Sequence, residues 1–108
     1  MNTYEIMAPV GSREALAAAL KAGADSVYFG IEALNMRAHS ASRFTIDDLH
    51  DIAAQCATQG VKSYLTVNTI IYDEDIELMH RICDAAHAAG ISAVIACDVA
   101  VMAYCRSI

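Results

Sequence analysis

Basic residues are scarce in this chain, and their scarcity limits the partners that it can bind. Seven Lys and Arg stand against 13 Asp and Glu, so the formal net charge is −6 at pH 7. The basic residues are scattered along the sequence and form no cluster. Because affinity for nucleic acids rests largely on clustered Lys and Arg, we expect no direct nucleic-acid surface in this segment.

Several short motifs that would indicate a chemistry are also missing. The sequence has no glycine-rich phosphate loop, no HExxH or GxSxG motif and no paired CxxC. Its cysteines, Cys56, Cys83, Cys97 and Cys105, have spacings that match neither a zinc site nor a disulfide framework. We therefore expect reduced, buried thiols, and neither a metal site nor a cofactor in this segment.

A secretion leader and a membrane span are not expected either. Residues 1–5 lack the basic start and long apolar stretch of a secretion signal, which predicts a cytoplasmic location. Residues 88–105 are nearly all apolar, but Asp98 at their centre would cost about 2.5–3.5 kcal/mol inside a bilayer. Gly90 and Asp98 divide this stretch instead into a helix end, a buried strand and a new helix start.

The chain does contain one pattern that occurs three times. Alanine-rich helical stretches stop at Gly23, Gly60 and Gly90, and a short β-rich run follows each stop. Glycine just past a helix end adopts the left-handed conformation at little cost, so each stop is a physical signal. Strands that alternate with helices predict parallel pairing through right-handed crossovers.

The predicted elements can be placed from caps and apolar spacing. Ser12 caps a first helix that runs to about residue 22, and Thr45 and Asp73 begin the second and third. The second helix carries the apolar stripe Leu49, Ile52, Ala53 and Cys56, and the third carries Ile76, Met79, Ile82, Cys83, Ala86 and Ala89. A fourth helix starts at residue 99. The predicted strands are 4–8, 26–30, 62–68 and 93–97.

This order predicts an α/β fold of parallel βα repeats. Four strands with three to four helices make half of a TIM-like (β/α)8 barrel, which needs about 250 residues in all; a small open sheet is the alternative. A chain of 108 residues with 56% apolar content is one domain or a piece of one. Half a barrel leaves its first and fourth strands as exposed edges, so we expect a fragment or a chain that associates with itself.

Parallel sheets place ligands at the carboxyl ends of their strands, and we call this edge the rim. Residues 31–44 form the longest stretch without apolar period, well beyond the usual ~2–6 residues of such a connection. The polar residues predicted at the rim are Ser12, Asn35, Arg37, His39, Asn68, Thr69 and Asp98.

Arg37 is the strongest candidate for substrate binding, because a guanidinium fork on a rim loop can bind a carboxylate or phosphate in two places. His39 could act as an acid, a base or a ligand, and the Asn68 amide could fix a substrate oxygen or nitrogen. Structural alternatives stay open. Arg37 could pair with Glu32, His39 could be solvated, Asn68 could form a turn, and Ser12 and Asp98 could be helix caps only.

His80, Asp84 and His87 are spaced four and three residues apart and superficially resemble metal ligands. They lie opposite the apolar stripe of the third helix and so should face water. We do not expect them to bind a metal.

Five short strings carry a family resemblance: residues 8–12 (APVGS), 22–30 (AGADSVYFG), 35–38 (NMRA), 67–69 (VNT) and 98–99 (DV). Their order and spacing are similar to the N-terminal part of peptidase family U32, the collagenase-like proteases. The resemblance implies the first half of a (β/α)8-like barrel. It also implies a protease, although several members are similar to iron–sulfur-dependent hydroxylation factors for tRNA, ribosomal RNA or ubiquinone precursors.

In those factors the cluster-binding cysteines lie further along than this chain runs, so its cysteines inherit no ligand role. Arg37 and Asn68 match rim residues of the family, but nothing matches a proteolytic nucleophile and base, so the catalytic residues are not assigned. The resemblance implies a peptide substrate, or RNA or a quinone, for the full-length protein. We expect the segment alone to be inactive, and a non-catalytic module that pairs with itself or with a missing C-terminal half is the third interpretation.

Overall fold

Four strands alternate with four helices in the parts of the chain that the structure, a computed structural model, describes: residues 4–31, 44–67 and 71–108. The strands are β1 (Met7–Pro9), β2 (Ser26–Gly30), β3 (Lys62–Val67) and β4 (Ala93–Ala96). The helices are α1 (Arg13–Ala22), α2 (Leu49–Thr58), α3 (Ile76–Ala89) and α4 (Val99–Ser107). One turn of 3₁₀-helix precedes α2 (Ile46–Asp48), and another precedes α3 (Asp73–Asp75).

The strands form one sheet in the order β1-β2-β3-β4, and every neighbouring pair is parallel. Pro9, Tyr28, Tyr64 and Ala93 stand beside one another in register across all four strands. The predicted fold class, an α/β fold of parallel βα repeats consistent with half of a barrel, is therefore confirmed. The carboxyl ends of the strands lie along one edge, which is the predicted rim.

One face of the sheet is buried against the helices. Val27 and Phe29 on β2 and Leu65 and Val67 on β3 point to this face, and each is at most 2% exposed. They pack in one cluster with side chains of all four helices. Burying one side chain of this size contributes about 1.5–3 kcal/mol, so this layer is the main source of stability.

The predicted helical stripes form the other side of that layer. All four residues of the α2 stripe are buried, namely Leu49, Ile52, Ala53 and Cys56. On α3, Met79, Ile82, Cys83 and Ala86 are buried, while Ile76 and Ala89 are half-buried. The period of the apolar residues was therefore a reliable guide to which helix face meets the sheet.

The opposite face, which we call the open face, is not covered by any described helix. Strand side chains alternate in direction, so Tyr28, Tyr64 and Thr66 point to this face and are half-buried. On the two outer strands, Met7 of β1 is 44% exposed and Ile95 of β4 is 37% exposed. β4 was expected to be a buried strand, and that prediction is wrong because β4 is an edge strand with one uncovered face.

Helix ends follow the predicted capping signals. Ser12 Oγ accepts the Ala15 N–H at 3.1 Å and so caps α1. Thr45 donates its backbone N–H to Asp48 Oδ2 at 2.8 Å and begins the turn before α2. Gly23 and Gly90 end α1 and α3 with φ of +87° and +83°. Within the described residues, no helix has the length and apolar character needed to cross a membrane.

Two strand boundaries differ from the prediction. β1 was expected at residues 4–8 but lies at Met7–Pro9, because its extent is set by where Met7 pairs with Ser26 of β2. β4 was expected to include Cys97, but it ends at Ala96 and Cys97 is exposed, so that thiol is not buried as predicted. The predicted last residue of β3, Asn68, lies outside the described residues.

The left-handed glycine at the end of α1 gives a stability test with a control in the same chain. Gly23→Ala should lower the free energy of unfolding by about 1 kcal/mol, because φ of +87° is strained for a residue with a Cβ. Gly11→Ala is the control, since an added Cβ there meets nothing within 4 Å and its φ is outside the left-handed region. Urea unfolding followed by circular dichroism measures both, and equal losses would contradict the cap.

Candidate functional site

The rim is formed by the carboxyl ends of the strands together with the amino ends of the helices. Two of the predicted rim residues, Ser12 and Asp98, lie there as the N-caps of α1 and α4. The other candidates lie outside the described residues, so their placement stays a prediction; they are Asn35, Arg37, His39, Asn68 and Thr69.

Asp98 links two parts of the rim. Its Oδ1 accepts the Ala100 N–H at 2.9 Å and caps α4, while its Oδ2 accepts the Ile71 N–H at 2.9 Å. The Ile71 bond, and after it the Ala100 bond, hold the pKa of Asp98 below its ordinary value. Asp98 therefore ties Ile71 to the start of α4, which is a structural role. A contact of Asp98 with substrate stays a prediction.

The long connection between β2 and α2 is held at both of its ends. Ile31, directly after β2, is 2% exposed, and Phe44, shortly before α2, is 1% exposed. The Phe44 ring packs edge-on against Phe29, with ring centroids 5.6 Å apart. The two described residues that flank this connection, Ile31 and Phe44, therefore both belong to the core.

An arginine that the sequence analysis did not single out joins two helices at the rim. Arg13, in the first turn of α1, donates from Nη2 to Asp48 Oδ1 at 2.7 Å and from Nη1 to Asp51 Oδ2. We call Arg13, Asp48 and Asp51 the Arg13 clamp. A cation is unfavourable beside the positive end of a helix, so an arginine in that turn is a signal for acidic partners that could have revealed the clamp.

The clamp shifts the pKa of each of its members. The pKa of Arg13 is raised, first by Asp51 and then by Asp48. The pKa of Asp51 is lowered, chiefly by Arg13 and then by Gln55. The pKa of Asp48 is lowered first by the Thr45 N–H; burial opposes this shift, and Arg13 adds to it. All three groups stay charged at neutral pH.

A small pocket of about 210 Å³ lies beside the clamp. Its lining is Ser12, Arg13, Glu14, Phe44 and Asp48, so it sits where the chain returns from residues 32–43. Four of its five lining residues are polar, and the fifth is Phe44. It places a guanidinium next to the base of the connection that carries Arg37.

A second polar cluster lies at the amino ends of the strands, opposite the rim. Tyr64 Oη donates to Glu5 Oε2 at 3.2 Å, and Lys62 Nζ is 3.6 Å from Glu5 Oε1. Ser26 Oγ is buried with no regular hydrogen-bond partner among the described residues, yet it faces Glu5 and is the largest influence lowering the pKa of that carboxyl. This cluster is remote from the rim.

The side chains that superficially resemble metal ligands on α3 form helix contacts instead. The His80 ring stacks on Tyr104 of α4 with centroids 3.8 Å apart, and Asp84 accepts the Tyr104 hydroxyl at 2.6 Å. The expectation that these residues face water is therefore wrong for His80, which α4 partly covers, and is confirmed for Asp84 and His87, which are exposed. In the described parts of the chain, no three His, Cys, Asp or Glu side chains are grouped to hold a metal ion, so these residues do not fit an iron–sulfur cluster.

Comparison with known proteins identifies the family. The sequence profile of peptidase family U32 matches residues 11–108, which is nearly the whole chain. The chain belongs to peptidase family U32. The resemblance carried by the five short strings is thereby confirmed.

The U32 chain is similar to proteins with two kinds of name. It is 67% identical over its whole length to a collagenase of Porphyromonas gingivalis, covering 26% of that protein. It is 36% identical to an uncharacterized protease of Methanocaldococcus jannaschii over 94% of the chain and 25% of that protein. It is 28% identical to tRNA hydroxylation protein P1 of Bacillus subtilis over 96% of the chain and 24% of that protein. The chain thus spans about a quarter of the length of these relatives.

The lowered carboxylate pKa values predict loss of stability in acid. Folding lowers the pKa of Asp48, Asp51 and Asp98 below the ordinary value of 3.8. Their contribution to the free energy of unfolding is therefore complete above pH 3.8 and is lost as the pH falls through the lowered values. Asp48→Asn should lower the urea midpoint at neutral pH and reduce its dependence on pH below 4. The exposed neighbour variant Asp47→Asn is the control and should change neither. A midpoint of Asp48→Asn with the native pH dependence would contradict the lowered pKa of Asp48 in the folded chain.

Proposed function

We propose that this chain is the N-terminal segment of a longer U32 protein that acts as a peptidase, and that its rim binds the peptide substrate. The observation that carries this proposal is the 67% identity, over all 108 residues, to a protein named collagenase. A segment with four of eight barrel strands lacks the partners that the other rim loops supply. The segment alone is therefore inactive in this proposal.

The rim residues position the substrate and do not attack it. Arg37 binds a carboxylate of the peptide, and Asn68 fixes a peptide oxygen or nitrogen. Asn35 and His39 belong to the same connection as Arg37, whose ends at Ile31 and Phe44 are buried beside the rim. The burial of these two flanking residues supports a role for the connection in substrate binding. The catalytic residues are supplied by the remainder of the longer protein.

Charge favours a peptide over RNA as the substrate that this segment contacts. The net charge of −6 opposes a polyphosphate backbone, and the basic residues form no cluster along the sequence. A single arginine is enough for one carboxylate of a peptide. RNA binding would need a basic surface from elsewhere in the longer protein.

A hydroxylation factor is the second candidate, and the 28% identity to tRNA hydroxylation protein P1 favours it. In this alternative the longer protein holds an iron–sulfur cluster outside this segment and acts on tRNA, ribosomal RNA or a ubiquinone precursor. The segment would again supply rim residues only. A cytoplasmic location suits both candidates and stays a prediction.

A non-catalytic, self-associating half barrel is the third candidate. The uncovered open face, with Met7 44% and Ile95 37% exposed, favours it. Two copies that close into one barrel would pair their edge strands and enclose both open faces, and sedimentation would then show a tight dimer. In the peptidase proposal the missing C-terminal half covers that face.

A chimera tests the peptidase proposal directly. This chain replaces the corresponding N-terminal quarter of the P. gingivalis collagenase, and cleavage of denatured collagen is measured. The chimera should cleave, the 108-residue chain alone should not, and Arg37→Ala in the chimera should lower kcat/KM about tenfold or more, because a charged hydrogen bond to substrate is lost. Arg81→Ala on α3 is the control and should leave kcat/KM unchanged.

The outcomes separate the candidates. A folded chimera that does not cleave, but that shows the visible absorbance of an iron–sulfur cluster after anaerobic purification, favours the hydroxylation factor. A cleaving chimera in which Arg37→Ala has native kcat/KM removes Arg37 from the substrate site while leaving the peptidase proposal intact. A tight dimer of the isolated chain, together with an inactive chimera, favours the self-associating module.

A further inference from the structure

Two thiols on neighbouring helices lie close together away from the rim, and they have no role in the proposed peptidase activity. We propose that Cys83 on α3 and Cys105 on α4 form a dithiol site that reacts with small disulfide compounds and becomes an intramolecular disulfide. The site is independent of the proposed function. It would make the packing of α4 on α3 sensitive to the thiol–disulfide balance around the protein.

The geometry of the sulfur atoms favours bond formation. Cys105 Sγ lies 3.7 Å from Cys83 Sγ, so the two sulfurs are already in contact across the helix interface. A disulfide has an S–S distance of about 2.05 Å, so the sulfurs must approach by less than about 2 Å. Cys105 is only half-buried near the end of α4, where a small side-chain rotation can supply this movement.

Cys83 is the buried member of the pair and has a second sulfur beside it. Met79 Sδ lies 3.8 Å from Cys83 Sγ, and Cys83 is 2% exposed. Burial, and then the neighbouring Cys105, raise the pKa of the Cys83 thiol to about 12. Cys83 is therefore a poor first nucleophile, and Cys105 is the thiol that meets a reagent first.

Both cysteines line one surface pocket, which a small molecule can enter beside Cys105. It has a volume of about 290 Å³, and its lining includes Cys83, Cys105, His87, Ser92 and Ile108. Pockets that enclose small ligands begin at about 300 Å³, so this one admits only part of a small disulfide compound at a time. The other cysteines lack this combination, because Cys56 is fully buried and Cys97 does not line the pocket.

The reaction is a two-step thiol–disulfide exchange. The Cys105 thiolate attacks one sulfur of the small disulfide, whose S–S bond breaks and releases one thiolate. Cys83 Sγ then attacks Cys105 Sγ, the mixed disulfide breaks, and a second small thiolate leaves. The protons of both protein thiols end on the two released thiols. Two cysteines are oxidised and one small disulfide is reduced to two thiols.

The test uses the full chain with Cys97→Ser, which removes the exposed thiol and leaves both members of the pair native. Oxidised glutathione is the probe. After incubation, denaturation and alkylation, intact mass should show that the number of alkylated thiols falls from three to one, and peptide mapping should link Cys83 to Cys105. Dithiothreitol should restore the three thiols.

Two control proteins complete the experiment. Cys105→Ser in the same background should keep Cys83 and Cys56 fully reduced, because Cys83 has then lost its partner. Cys56→Ala in that background should still form the link between Cys83 and Cys105. A stable glutathione adduct on Cys105 with Cys83 reduced, or a disulfide that contains Cys56, would overturn the proposal. Three unreacted thiols would overturn it as well.

Discussion

The burial of one face of the sheet against the helices is the constraint on which the rest of this structure depends. Val27 and Phe29 on β2, and Leu65 and Val67 on β3, bring almost all of their surface out of water on a single side. This fixes the direction and register of the strands, because a shift by one residue would turn these side chains to the open face and the polar ones to the core. Parallel strands with helices on one side must also place their carboxyl ends along one edge, and the rim exists for that reason.

The two faces of the sheet, and the carboxyl and amino ends of its strands, therefore have different roles. The helix face supplies stability, and the rim carries the caps at Ser12 and Asp98, the Arg13 clamp and the buried residues Ile31 and Phe44. The opposite edge holds the network of Glu5, Lys62 and Tyr64. The open face bears half-buried polar and aromatic side chains, a mixture that suits a barrel interior completed by further chain. Membership in family U32, and the coverage of about a quarter of its relatives, agree with that interpretation.

Much of the fold could be predicted because its signals are local. The bounds of β2, the caps at Ser12 and Asp98 and the stops at Gly23 and Gly90 depend on a few neighbouring residues each. The predicted start of β1 was wrong because the strand begins where it pairs with β2, and the β-propensity of residues 4–6 does not decide this. The Arg13 clamp and the stacking of His80 on Tyr104 were not found, since each joins residues 20 or more positions apart in the chain. At the candidate site only the anchoring residues are described, so the substrate roles of Arg37 and Asn68 rest on the sequence and the family.

The parallel register is tested most directly by nuclear Overhauser effects between backbone protons of neighbouring strands in the isolated chain. We predict nuclear Overhauser effects between Tyr28 and Tyr64 and between Tyr64 and Ala93, in the pattern of parallel strands. Contacts that pair the start of β2 with the end of β3 would show antiparallel strands. That result would remove the common rim, and with it the proposed site.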